Sequence, residues 1–309
     1  LCQYSQSRLH AAAQETDFHY DRNTGGLIYF YRSSQSFEAA AVKSEILSSA
    51  GVKIDILDRD QVIAQDPGLA DARDEIAGAL FVPTDESGDA RTFTHVLAGR
   101  CAERGAEIHM QTEITGFAKI HNRITAVTTS QGEIEGDLFV VALGVFSPIL
   151  SRQLGFSLPI YPVKGYSVTL PADNAHLLPR YGGVDEDNLL AYCPMGNRLR
   201  ITATAEIGSY STHHRPSDFR VMLAKTRDLM PRAADFSKPD YWAGLRPMTP
   251  TGLPLIGRTR GSNVWLNTGH GHMGWTMSCG SARILADLIA GQNPAIPLDG
   301  MDPATMRIT

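Results

Sequence analysis

Residues 137–144, Asp-Leu-Phe-Val-Val-Ala-Leu-Gly, constrain the fold more than any other segment of the chain. An unbroken apolar run ending in glycine, then Ser147-Pro148 and a helix-like stretch over 149–154, predicts a buried parallel strand feeding a helix. At eight residues it falls well short of the ~18 that a membrane span needs, and no other stretch comes nearer. Some α/β core must therefore be built around it.

The flanking patterns extend that core. β-formers over residues 26–32 predict a strand after a Gly-Gly turn. Helices are expected over 36–50, closed by Gly51, and over 92–104, closed by Gly105. A short strand is expected over 53–57, before an acidic stretch that Pro67 ends. Further strands are predicted at 107–110, 124–130 and 133–135. The middle changes character: residues 163–204 alternate β-rich runs with turn residues, as an antiparallel sheet does. A helix over 217–230, with Ser217 as N-cap, interrupts it. Strand resumes at 240–245, and the last unit is a strand at 264–267, a glycine loop and a helix over 275–290. There is no internal repeat and no low-complexity linker. α/β material thus flanks an antiparallel insert, an interleaved arrangement, and 309 residues suit roughly two domains of about 150 each.

Charge and cysteine usage narrow the partners. A net charge of −5 without a basic block argues against nucleic acid. Cys2, Cys101, Cys193 and Cys279 are scattered without a CxxC pair, which suits a reducing compartment better than a disulfide framework or zinc ribbon. The opening, Leu1-Cys-Gln-Tyr4, has no Met, no basic start and no apolar core. It reads as a polar helix over 3–14 entered partway, so a cut, processed or separately encoded start is expected.

Residues 269–274, Gly-His-Gly-His-Met-Gly, match G-x-G-x-x-G between a strand and a helix. The dinucleotide reading fails on context, because that fingerprint opens a βαβ unit and here the chain runs out after one helix. The local physics remains: small residues ahead of a helix let backbone N–H groups approach a ligand, and the helix N-terminus favours negative charge. A tight connection needing glycines only for its backbone angles is the alternative. His270 and His272, without a Cys, Asp or Glu at ligand spacing, do not make a metal site.

Several segments resemble the D-amino-acid oxidase-like flavoproteins, and among them the bacterial D-amino acid dehydrogenases. They are Tyr161-Pro-Val-Lys-Gly-Tyr-Ser167, Trp242-Ala-Gly-Leu-Arg-Pro-Met-Thr-Pro250 with residues 252–258, Trp265-Leu-Asn-Thr-Gly-His-Gly-His-Met-Gly-Trp-Thr-Met277, Cys279-Gly-Ser281 and Ala286-Asp-Leu-Ile-Ala-Gly291. The resemblance implies an α/β fold with two interleaved domains. One is an FAD-binding domain, three-layered and incomplete here, over 90–160 and 251–309. The other is a substrate domain with a large mixed or antiparallel sheet, over 1–89 and 161–250.

It also implies roles. Arg246 matches the arginine that holds a substrate carboxylate, a task suited to the planar fork of a guanidinium. Gly269, His270, Gly271, His272, Met273, Gly274, Trp275 and Thr276 match the segment along the flavin. Ile114, Ala142 and Gly144 match positions near the nucleotide. Lys164 and Tyr166 are candidates to tune the site from one layer further out. Glycine oxidase-like relatives place an arginine where His272 stands and a tyrosine where Leu190 stands. Tyr192, on the same strand face as Leu190, is the expected substitute, and it joins Arg246 and His272 as a substrate-binding candidate. The implied activity is FAD-dependent oxidative deamination of a small amino acid, with electrons passed to a quinone or another carrier. The family's true G-x-G-x-x-G is absent by any register, so a companion chain or cleaved fragment is expected to supply it. The setting would be cytoplasmic, or docked on the inner membrane face. A non-catalytic subunit, an inert fragment, or a glycine-, sarcosine- or proline-type amine oxidase are the alternatives.

Overall fold

The computed structural model describes residues 1–16, 19–121, 123–260 and 263–304. Along the chain come α1 (Cys2–Thr16), β1 (Leu27–Tyr31), α2 (Ser34–Ser49), β2 (Asp55–Asp58), α3 (Arg59–Gln65), β3 (Gly78–Val82) and α4 (Ala90–Glu103). Next are β4 (Ile114–Ile120), β5 (Arg123–Thr129), β6 (Gly132–Glu135), β7 (Phe139–Val141) and α5 (Ser147–Gln153). The second half supplies β8 (Tyr161–Pro171), β9 (Gly182–Asp185), β10 (Leu190–Met195), β11 (Arg198–Ile207), α6 (Arg220–Leu229) and β12 (Asp240–Met248). The chain closes with β13 (Leu255–Arg258), β14 (Val264–Thr268) and α7 (Gly274–Ile289).

Eight strands form one mixed sheet in the order β12-β8-β11-β10-β9-β1-β3-β2, so an α/β architecture with a large mixed sheet is what the sequence implied. All its pairings are antiparallel except β1 with β9. Strand alternation divides its side chains between two faces. One face carries Ile28, Phe30, Tyr166, Val168, Leu170, Leu190, Tyr192, Leu199 and Ile201 into the main core. That core is closed by Val62 of α3, by Leu69 and Ala72 of the following 3-10 turn, and by Met222 and Leu229 of α6. The other face carries Arg246, Val163, Gly165, Ser167, Trp242 and Arg200.

Two three-stranded sheets stand apart: β13-β14-β7 and β4-β5-β6. β7 pairs with β14 in parallel, as the apolar run required, but only three of its residues are strand. Its burial is one-sided: Val141 is buried whereas Leu138, Val140 and Leu143 are substantially exposed. α1 packs against α7, where the amide of Gly280 donates to Ser5 Oγ at 3.0 Å.

Local chemistry explains the helix starts. Ser33 caps α2 by accepting from the Ser36 amide, Asp58 and Gln61 form a reciprocal capping box on α3, and Asp89 accepts from the amides of Arg91 and Thr92 at α4. Two expectations need correction. No strand forms at 107–110, where Ile108 and Met110 lie exposed; the next strand starts at Ile114, because only from there does β5 supply a partner ladder. Ser217 does not cap a helix. Pro216–Phe219 is a 3-10 turn, Asp218 accepts from the Arg215 amide, and α6 begins after it.

Candidate active site

The site assembles where the end of β12 meets the loop between β14 and α7. Gly269 and Gly271 adopt φ of +78° and +57°, the left-handed region that glycine enters without a Cβ penalty. A Cβ on Gly269 would lie 2.8 Å from Thr249 Cγ2, and one on Gly271 would lie 3.0 Å from Met248 Sδ. The loop therefore needs glycine both for its turn and for its close approach to β12. Gly144, with φ +54°, sits 3.9 Å from Pro247 by the same measure. Ser147 Oγ and Thr268 Oγ1 share a buried 2.8 Å hydrogen bond and tie the carboxyl ends of parallel β7 and β14 together. A crevice outside the carboxyl ends of parallel strands is where open α/β sheets bind ligands.

α7 points its N-terminus into that crevice. Its cap, Met273, contributes no side-chain hydrogen bond to the first turn of this 16-residue helix. His270 turns away from the crevice: its Nε2 is 2.9 Å from Ser281 Oγ, and burial lowers its pKa to about 4. It is neutral at pH 7 and fastens the loop to α7. His272 and Met273 are exposed on the loop. Trp275 packs edge-on against Phe93 at 4.9 Å and tilted against Tyr20 at 5.7 Å. Met273, Trp275 and Thr276 also line a cavity of about 430 Å³ with Tyr29 and Asp85, whose hydroxyl-to-carboxylate hydrogen bond is 2.9 Å. Burial raises the pKa of both Tyr29 and Asp85.

Arg246 lies on β12 opposite Val163, and its guanidinium folds over Gly165 on β8. A Cβ at Gly165 would come within 2.9 Å of Nε and 3.0 Å of Nη2. Among the described residues the guanidinium makes no hydrogen bond or ion pair, so its fork is free for a ligand. Next along the face, Trp242 folds its indole over Gly244, where a Cβ would meet Cη2 at 2.1 Å. Gly244, Gly165 and Ala205 pair across β12, β8 and β11, giving a floor of small residues beneath the two large side chains.

Three expected residues are not brought to Arg246. Tyr192 lies on the opposite face of the sheet, 3% exposed, with its hydroxyl over Gly183 and no hydrogen-bond partner. Sharing a face with Leu190 is what sends it into the core, because Leu190 faces the core too. Lys164 and Tyr166 alternate to the same far side. There both contact Glu206, Lys164 at 3.1 Å, and Lys164 also donates to the His213 carbonyl. Ile114 begins β4 in the other small sheet, half-buried opposite Thr129. Sequence reasoning did not single out Gly165, Gly244 and Trp242. Their motif positions were visible, but which residues share a face with Arg246 depends on the β8–β12 register.

A family description, FAD dependent oxidoreductase, matches residues 1–288. The chain belongs to that FAD-dependent family. D-amino acid dehydrogenase 2 of Mesorhizobium japonicum is 42% identical over 302 residues, spanning 97% of this chain and 73% of that protein. D-amino acid dehydrogenase of Agrobacterium fabrum is 44% identical over 296 residues, spanning 96% and 71%. Among solved structures, glycine oxidase from Geobacillus kaustophilus superposes with a TM-score of 0.87 at 24% identity, covering 99% of this chain and 82% of that one. L-proline dehydrogenase from P. horikoshii gives 0.86 at 20% identity, covering 98% and 81%. The flavoprotein fold is therefore shared across relatives of different substrate. Of this flavoprotein's own residues, the α7 terminus, without a side-chain cap, would suit an electron-rich flavin edge. Among the described residues no helix is long and apolar enough to cross a membrane.

Proposed function

We propose that this flavoprotein oxidatively deaminates a small amino acid, of D configuration as in its named relatives, to a 2-oxo acid and ammonia. The observation that carries the reading is the unpaired Arg246 guanidinium, laid over Gly165 from the strand whose end meets the glycine loop. When bound, FAD supplies the two-electron acceptor for hydride from the substrate Cα at its N5. The chain's own residues do the rest. Arg246 grips the substrate carboxylate through two charge-assisted hydrogen bonds and so sets which way Cα faces. Gly269, Gly271, Met273, Gly274, Thr276, Ala142 and Gly144 line the flavin's berth. The α7 amides stabilise negative charge there, while His270 and Trp275 hold the loop's shape. His272, exposed on that loop, borders the substrate. No protein base is required if the amine arrives neutral, and the imine is hydrolysed by water.

Residues 90–160 and 251–309 would form the flavin side and 1–89 and 161–250 the substrate side, with α1 an exception that packs on α7. The nucleotide-binding G-x-G-x-x-G unit comes from sequence other than these residues, whether on the same polypeptide or a companion. Electrons leave to a quinone or another carrier. The test is anaerobic bleaching of the flavin-loaded enzyme by D-amino acids. Arg246→Lys keeps the charge but loses the fork, and is expected to lower kcat/KM by about tenfold to a hundredfold, mainly through KM. Unchanged kinetics in that variant would overturn the assignment of Arg246.

A further inference from the structure

The face that carries Arg246 carries a second unpaired guanidinium. Arg200, on β11, pairs in register with Thr169 of β8 and donates from Nη2 to Ser167 Oγ at 2.8 Å. A longer contact, 3.5 Å, joins Nη1 to Thr169 Oγ1. Its Cζ lies 5.4 Å from the centroid of the Trp242 ring. Ser167, its main partner, is two residues from Gly165, the residue beneath Arg246. Strand geometry therefore sets the two residues that the guanidiniums lie against about 7 Å apart along β8, on one face.

Arg200 is half-buried, yet no carboxylate lies within ion-pair distance of it among the described residues. Asp89 and Asp240 act on it only at longer range, and Asp89 is already paired with Arg198 at 3.5 Å. A buried cation held by hydroxyls and an aromatic face, with donors to spare, is costly unless an anion comes to it. Beneath them the sheet offers only Gly244, Gly165 and Ala205, with the Trp242 indole lying over Gly244 and the Arg246 guanidinium over Gly165.

We propose that Arg200 is a second carboxylate anchor, so that the preferred substrates are amino dicarboxylic acids of the aspartate and glutamate class. This rests on the assignment of Arg246 to the α-carboxylate. In such an acid two or three bonds of chain beyond Cα separate the second carboxyl from the first, a reach on the order of the two-residue step along β8 from Gly165 to Ser167. Trp242, 53% exposed, walls the aliphatic stem and holds the Arg200 fork in place.

The test compares each acid with its amide isostere in the flavin-loaded enzyme. D-glutamate and D-aspartate should show kcat/KM about tenfold or more above D-glutamine and D-asparagine, and glutarate should inhibit more tightly than butyrate by a similar factor. Arg200→Met should collapse the acid-to-amide ratio towards one, and Arg200→Lys should restore part of it. Thermal unfolding run alongside separates this from loss of fold, and the wild-type comparison with glutarate stands even if Arg200→Met does not fold. An acid-to-amide ratio at or below one in the wild type, or a ratio unchanged in Arg200→Met, overturns the proposal. If D-alanine bleaches the flavin while the acids gain nothing, only this inference fails. If no amino acid bleaches it, the deamination reading fails as well.

Discussion

Gly165→Ala tests the site with the smallest possible change. The new Cβ would stand 2.9 Å from Arg246 Nε, 3.0 Å from Nη2 and 3.2 Å from Cζ. Ordinary contacts between such atoms are about 3.5 Å, so the guanidinium must retreat by roughly 0.5 Å or more. It is the free end of a flexible side chain, and it moves before the sheet does. Gly165 is not among the positive-φ glycines, so its backbone accepts alanine without strain. Stability should hold or rise by about 0.4–1 kcal/mol, because alanine has fewer unfolded states to lose. Catalysis should not hold. A displaced fork keeps one charge-assisted hydrogen bond to the carboxylate rather than two, and a bond of that kind contributes about 1.5–3 kcal/mol. With about 1.4 kcal/mol per factor of ten, kcat/KM should fall by roughly tenfold to a hundredfold. The assay is steady-state turnover with a panel of D-amino acids, read beside thermal unfolding. Full activity in the variant would refute the placement of Arg246 as anchor. Lost activity accompanied by a large fall in Tm would show that the sheet, not the guanidinium, absorbs the collision.

Two further expectations follow from buried polar groups. His270 stays neutral in the fold down to about pH 4, whereas an unfolded histidine takes up its proton near 6.5. Between those values the unfolded state binds more protons, so this residue makes stability fall as pH drops from 6.5 to 4, by at most about 3 kcal/mol, with no further slope below 4. His270→Gln should flatten that part of a Tm-against-pH curve, and an unchanged slope would count against a buried neutral imidazole. Tyr192→Phe removes a hydroxyl that is buried without a hydrogen-bond partner. Denaturant unfolding should show equal stability or a gain of about 1 kcal/mol, with turnover unaltered; a rise in KM would return Tyr192 to the substrate.

What the sequence by itself determined was local. The apolar run ending at Gly144, the alternation through 163–204 and the small residues of 269–274 are carried by neighbours in the chain, and short-range periodicity and turn chemistry read them directly. The parallel pairing of β7 and the existence of α7 came from that level, whereas the candidacy of Arg246 came from the resemblance of its motif to a known family. Tertiary structure decided which side chains meet. Because strand side chains alternate, a one-residue difference in position moves a group through the sheet: Lys164 and Tyr166 go to the core side while Gly165 and Ser167 go to the Arg246 side. For that reason Tyr192 lies with Leu190 on the core face, across the sheet from Arg246. Arg200, 46 residues before Arg246, becomes its neighbour only because β11 and β12 flank β8 on either side. Register between strands distant in sequence is set by how the whole sheet buries its apolar face, and no window of the chain contains that information.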